Sequence, residues 1–271
     1  MNTASQDNER VTVVLNDDGR IAHVTLNRPD KLNAFDPAMF DAIASTGSML
    51  DRTPGLRCIV LSGGGRAFSA GLDLATFEAL TGPDAPRLAE RTHGSANLFQ
   101  HAALLWRDLP VPVIAAIHGV CFGGALQLAG GADIRIVAPD ARLSVMEMKW
   151  GLVPDMGGFT LWRGAVRDDV LRELTYTARE FSGEVAVTLG FATLADPDPL
   201  ARAMTLAREI AGRSPSAIRE AKVLFNRSVA LTPGEILVEE SLAQDRLVGS
   251  PNQLEAIRSQ MEGRPAKFGD G

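Results

Sequence analysis

The stretch VPVIAAIHGVCFGGALQLAGGA, residues 111–132, decides how the rest of the chain is read. It is apolar enough to span a bilayer, with His118 and Gln127 as its clearly polar side chains. Its internal punctuation argues for something else. Pro112 followed by β-branched Val113 and Ile114 predicts a buried strand, and the breaks at Gly119 and Gly123-Gly124 predict a turn into a short helix. A strand–turn–helix of this kind needs a core around it, and 271 residues, 45% of them hydrophobic and 22% charged, can supply one.

Working outward, residues 11–15 and 21–26 are β-branched runs separated by Asp17-Asp18-Gly19, which predicts a hairpin. Asp36-Pro37 offers an N-cap and a first helical residue for a helix running to about Leu50. Residues 56–62 read as a strand ending in Gly63-Gly64-Gly65, and residues 86–106 as a longer helix stopped by Pro110. Short strands are expected at 113–117, 134–137 and 143–145, so β–β–α units wind through the first 200 residues. From Asp168 the pattern turns helical, with Ser182-Gly183-Glu184, Ser214-Pro215 and Thr232-Pro233 as helix starts. The expected division is an α/β core over residues 1–200 and an α-helical segment over 201–271.

Composition narrows the function classes. A formal net charge of −6 gives no basic footprint for nucleic acid or an anionic membrane surface. Cys58 and Cys121 lie far apart without metal-ligand spacing, so neither a disulfide framework nor a metal site is expected. Residues 1–10 are polar and lack the apolar core of an export signal, so a cytoplasmic location with reduced thiols is the expectation.

Four motifs then carry a resemblance. Leu26-Asn27-Arg28-Pro29 with Leu32-Asn33-Ala34-Phe35, then Ala67 through Leu74, then Gly119 through Leu128, then Glu147 through Gly158, resemble in order the signatures of the enoyl-CoA hydratase/isomerase (crotonase) superfamily. Phe181-Ser182-Gly183-Glu184 and the tail from Glu262 to Phe268 extend the likeness over nearly the whole chain. The resemblance implies a crotonase-like spiral of ββα units with an α-helical C-terminal segment, an acyl-CoA substrate, and no cofactor beyond the CoA moiety. It further implies a homotrimer or a dimer of trimers, with residues 201–271 as the oligomerisation segment.

Removing a proton next to a thioester carbonyl builds negative charge on oxygen, which calls for preorganised N–H donors aimed at it. Glycine-rich turns let backbone approach a ligand closely, because glycine has no Cβ. The resemblance places the two oxyanion donors at Leu72 and Gly124. It places Asn27, Arg28, Lys31, Leu32, Ala34, Ala70 and Leu72 along the CoA channel, and it gives Asp73 a structural role. For Arg28 and Lys31 the alternative is an ordinary solvated cation.

Family hydratases face the alkene with two glutamates. The first of those positions is Gln127 here, and an amide can orient water or substrate but cannot act as a general base. The second is Glu147, whose neighbours Met146 and Met148 favour a raised carboxyl pKa. Asp155, eight residues on, matches an aspartate that functions in dienoyl-CoA isomerases of the family; its alternative reading is a helix N-cap. His118 is expected to fix a turn, Tyr176 to pack, and Cys121 to face the core or the pocket. In the tail, Gly263 replaces a lysine of the family pattern, leaving Arg264 or Lys267 as the candidate cation.

The first function reading is therefore an enoyl-CoA or dienoyl-CoA isomerase using Glu147 with Asp155. The second is a hydratase that adds water to a trans-2-enoyl-CoA, and the third a non-catalytic acyl-CoA-binding protein. Acyl-group size stays open, because Phe77, Leu80, Met146, Met156 and Trp162 can either line a pocket or fill the core.

Overall fold

The computed structural model describes residues 6–7, 10–76 and 87–270. Strands β1 (Gln6–Asp7), β2 (Val11–Asn16) and β3 (Ile21–Leu26) form an antiparallel ladder. The β2–β3 turn puts Asp17 and Asp18 at φ 50° and 57° and Gly19 at 83°, a run of left-handed residues that Asp and Gly tolerate best. Next come α1 (Pro37–Asp51) and β4 (Cys58–Gly63), with the Asp36 side chain accepting the Met39 N–H at the start of α1. Both the hairpin and this helix start agree with the sequence expectation.

The helix expected over 86–106 begins later. Pro86 lies outside the described residues, residues 87–97 form turns and loop, and α2 runs Leu98–Asp108. Its start is set by a capping box: the Asn97 side chain accepts from Gln100 N–H, and the Gln100 side chain accepts from Asn97 N–H. That Asn-x-x-Gln spacing is a start signal which the apolar pattern upstream obscures.

After α2 the chain winds as expected, in units that give one strand to each of two sheets. β5 (Val113–Ile117) joins the large sheet, β6 (Val120–Phe122) the small one, and α3 (Gly124–Gly130) follows. β7 (Ile134–Val137) and β8 (Arg142–Ser144) repeat the division. Beyond them lie α4 (Gly158–Trp162), α5 (Asp168–Thr177), β9 (Phe181–Ser182), α6 (Gly183–Leu189) and β10 (Leu194–Ala195). The large sheet has the order β1-β2-β3-β4-β5-β7-β10, parallel from β3 onward, and the small one β6-β8-β9. Residues 111–132 are thus a strand, a turn and a helix, and among the described residues no helix is long and apolar enough to cross a membrane.

Side-chain alternation along the parallel strands feeds two cores. Ile59 and Leu61 point into the main core with Phe35, Phe40 and Trp106; Cys58 and Val60 point to the other face. There α7 (Pro199–Ala211) covers the sheet with Ala203, Ala207 and Ala211, whose small side chains let helix and sheet approach closely. The change of class expected near residue 200 therefore falls inside a helix that packs on the sheet. Helices α8 (Pro215–Ser228), α9 (Pro233–Leu247) and α10 (Pro251–Glu262) follow, and Ala243 is the one residue α9 buries fully. Lys222 fastens α8 to the body: its buried Nζ donates to Trp106 O, Val111 O and Asp133 Oδ2 at 2.8–3.0 Å.

Candidate active site

Parallel strands deliver their following loops to one edge of a sheet, and here the loops after β4 and β5 meet. Phe68 N–H donates to His118 O, Ser69 N–H to Val120 O, and Phe122 N–H to Ser69 O. On its other side the same segment pairs with Phe35: Phe35 N–H donates to Gly71 O at 2.7 Å and Asp73 N–H to Phe35 O at 2.9 Å. This ladder directs the Leu72 N–H away from Phe35. Gly71, at φ 84°, lies so close to the neighbouring loop that an added Cβ would collide with Phe122 O and stand 3.5 Å from Gly124 N. Gly124 opens α3, where its N–H has no carbonyl four residues back within the helix. The two sequence-predicted donors thus lie on adjoining segments, and both line one cavity of about 350 Å³.

Asn33 holds this arrangement together, and sequence reasoning gave it no task. Fully buried at φ 54°, it donates Nδ2 toward Gly64 O, Ala67 O and Phe68 O, and its Oδ1 accepts the Arg28 N–H. Its signal was present in Leu32-Asn33-Ala34, a buried Asn between apolar residues that must find partners.

The opposite wall supplies the side chains. Glu147 begins a 3-10 turn (Glu147–Trp150) beside Gly123; a Cβ built on Gly123 would lie 3.3 Å from its Oε1. Gln127 on α3, fully buried, donates Nε2 to that same Oε1 at 2.6 Å. Its own Oε1 accepts Met156 N–H at 2.8 Å and Gly158 N–H at 2.9 Å. The second carboxylate oxygen of Glu147, Oε2, is buried without a hydrogen-bond partner. Burial pushes the Glu147 carboxyl pKa up and the Asp155 charge adds to the push, while the Gln127 hydrogen bond pulls the other way.

Asp155 faces the same cavity. It is exposed on its other side, yet the surrounding protein desolvates it enough to push its pKa up. It is not a helix N-cap: that position of α4 is Gly157, at φ 92°, and no side chain caps it. The structure therefore brings together Leu72, Gly124, Gln127, Glu147 and Asp155. Phe40, Phe99, Phe122, Met146 and Met156 make the wall apolar, and Leu88, Trp150, Leu152 and Val153 stand half exposed at its edge.

The CoA-channel candidates separate. Ala70 and Leu72 line the cavity, and Ala70 N–H donates to Leu32 O, which places Leu32 directly behind the wall. Ala34 is buried, and its carbonyl accepts from Arg28. Arg28 is not the solvated cation of its alternative reading. Its guanidinium donates to Asp73 Oδ2 at 2.6 Å and Ala34 O at 3.1 Å and approaches Asp36 at 3.6 Å, so its charge is spent inside the protein. This is the structural partner of Asp73, whose carboxyl it holds below the usual range. Lys31 is exposed.

The remaining residues sort by position. His118 Nε2 lies 3.0 Å from Gly65 O and pins a turn. Cys121 is in the core, its thiol pKa pushed up by burial, and Trp162 is also core, edge-on to Phe191. Met146 and Met156 line the cavity; Phe77 and Leu80 lie outside the described residues. Tyr176 does not pack as expected: it is 65% exposed and accepts from Arg172. In the tail, Arg264 pairs with Glu255 and Glu262, which leaves Lys267 as the candidate cation there.

The model of the family described as enoyl-CoA hydratase/isomerase matches residues 16–271. The chain belongs to that family. Among curated relatives, it is 32% identical over 263 residues to the peroxisomal Delta(3,5)-Delta(2,4)-dienoyl-CoA isomerase of Arabidopsis thaliana, covering 93% of this chain and 94% of that one. It is 30% identical over 262 residues to a probable enoyl-CoA hydratase of Mycobacterium bovis, covering 95% and 97%. Among solved structures, the enoyl-CoA hydratase from Bacillus anthracis superposes with a TM-score of 0.86 at 25% identity, over 97% of this chain and 100% of that one. The crotonase-like spiral expected from the sequence is the fold of this family member.

Proposed function

We propose that this family member is an enoyl-CoA or dienoyl-CoA isomerase, which moves a proton along the acyl group of a CoA thioester without adding water. One observation carries the reading: two carboxylates with raised pKa values, Glu147 and Asp155, face one apolar cavity, while the other family carboxylate position holds Gln127. In the forward step the unpaired Glu147 oxygen takes a proton from carbon, and the electron pair moves into the conjugated system toward the thioester oxygen. The N–H groups of Leu72 and Gly124 stabilise that charge. Asp155 serves as the acid that returns a proton at the distal carbon, and the pair resets when Glu147 gives its proton to solvent and Asp155 takes one back.

CoA lies along Ala70 and Leu72, with Leu32 and Ala34 supporting that wall from behind. With Arg28 occupied, Lys31 is the candidate for its phosphates. The chain acts as a homotrimer or a dimer of trimers. Leu237, Val238 and Leu242 of α9 are 46–64% exposed, an apolar face that a second copy would cover. Sedimentation equilibrium at micromolar concentration should show a species well above 28.9 kDa; a monomer alone would rule the assembly out.

The experiment that tests the activity offers trans-2-, trans-3- and dienoyl-CoA substrates in turn, with products resolved by mass spectrometry and absorbance. Isomers of unchanged mass are expected. Products heavier by one water as the main outcome would overturn the reading in favour of a hydratase.

A further inference from the structure

Within the active-site wall, Gln127 makes three bonds that reach in two directions, and their chemistry fixes how the amide is turned. Its oxygen faces two backbone N–H donors, Met156 and Gly158, so a flipped amide would set N–H against N–H twice. With the oxygen so placed, the amide nitrogen must point at Glu147 Oε1. We propose that Gln127 is a positioning residue for both carboxylates, a buried clamp that selects which Glu147 oxygen meets the substrate and sets where the Asp155 loop stands opposite it. The inference rests on the isomerase reading above and deepens it.

The surroundings fit a clamp. Gly158 lets the loop close on the amide, since a Cβ there would lie 2.9 Å from Gln127 Oε1 and 2.6 Å from the Trp162 ring. Through Met156 the clamp also reaches the oxyanion side, because a Cβ on Gly124 would lie 2.7 Å from the Met156 sulfur. Glu147 Oε1 is taken by the amide, and Oε2 has no partner within the protein. Asp155 is the other titratable side chain that lines the cavity with Glu147. Phe122, Met146 and Met156 on the adjoining walls do not titrate. Helix α5, packed against the 3-10 turn, buries Leu171, Leu174 and Thr175; its charged Asp168, Asp169, Arg172 and Glu173 form ion pairs at the surface.

Two variants test the clamp, with Glu147→Gln as the control for the reading beneath it. Gln127→Leu keeps the bulk and removes all three bonds. Its kcat should fall by about 10²-fold with KM within a few-fold, as expected when a reacting group drifts by an ångström. The acid limb of its kcat/KM profile should move to higher pH, because the lost donor favoured the Glu147 carboxylate. Gln127→Glu keeps both backbone bonds and so tests the idea even if the leucine variant does not fold. It places a second carboxylate against Glu147, and its acid limb should move further upward. A parental pH profile in the soluble variants, with only the melting temperature lowered, would overturn the clamp. Should Glu147→Gln itself keep full turnover, the isomerase reading falls and takes the clamp with it. An inactive Glu147→Gln beside unshifted Gln127 profiles would remove the clamp alone.

Discussion

The two walls of the cavity are built on different principles. One is backbone: Gly63 to Asp73 strung between Phe35 and Phe122, with Asn33 stitching the loops and Leu72 and Gly124 presenting N–H groups. The other is side chain: Gln127, Glu147 and Asp155 on segments that Gln127 joins. The backbone wall tolerates almost no added atom, as Gly71 shows, and its N–H groups do not depend on side-chain identity. In the side-chain wall a carboxylate at 127 would bring a proton-carrying group where the amide brings none. Geometry is invariant on one side and chemistry is adjustable on the other.

The sharpest test of that division is Glu147→Gln. Turnover on the true substrate should fall by about 10² to 10⁴, with acyl-CoA affinity nearly unchanged because binding rests on the other wall. The same variant carries a stability signature. The folded-state pKa of Glu147 is raised, so its favourable contribution is complete at low pH and is lost as pH rises through the folded value. The variant should therefore melt at or above the parent temperature at alkaline pH, and the difference should vanish in acid. A variant less stable than the parent at high pH would contradict the buried, unpaired oxygen.

Gly71→Ala attacks the other wall. At φ 84°, against Phe122 O, it should lose acyl-CoA binding and turnover together, by about 10²-fold, since misplacement of a donor by an ångström costs that much. Binding that survives would mean the backbone wall is not rigid. Asp155→Asn should lower turnover by about 10- to 10²-fold, at the low end of general-acid effects, and leave the melting temperature within a degree or so because Gly157 holds the cap position. The smallest functional effect is expected at Arg28→Gln. It should destabilise by about 1–3 kcal/mol through the orphaned Asp73 and leave KM for the acyl-CoA within about twofold. A large rise in KM would return Arg28 to the CoA site.

This contrast also explains what could be read in advance. The backbone wall was legible where glycine leaves a mark in the sequence: the Gly123-Gly124 pair reads as a turn into a helix, and it is one left-handed and one crowded position in the fold. Gln127 and Glu147 were legible through the family resemblance, which marks both positions, and their side-chain chemistry then bounds what each can do. What could not be seen was commitment. Arg28 meets Asp73 across 45 residues, and Asp155 is excluded from a cap by a glycine two positions on. The late start of α2 was missed because a polar box at Asn97 and Gln100 outweighed the upstream pattern. The first depends on a partner distant in the chain, which a linear pattern does not record; the other two turn on local cap signals that compete with their neighbours.

The two backbone bonds to Gln127 also bear on how such a site can change over generations. Gln and Glu codons differ at their first base, so the step from amide to carboxylate at 127 is genetically short. Physically it is costly: Met156 N–H and Gly158 N–H would welcome the new charge, while Glu147 Oε1, 2.6 Å from the amide nitrogen, would oppose it, so the two carboxyl groups would have to share a proton. Two ionised carboxylates become tolerable only after the Glu147 carboxylate has moved aside or the 156–158 loop has been rebuilt. Position 127 is thus epistatic with residues on two other segments, and the order in which they mutate, more than the mutational distance, separates this site from one with two glutamates.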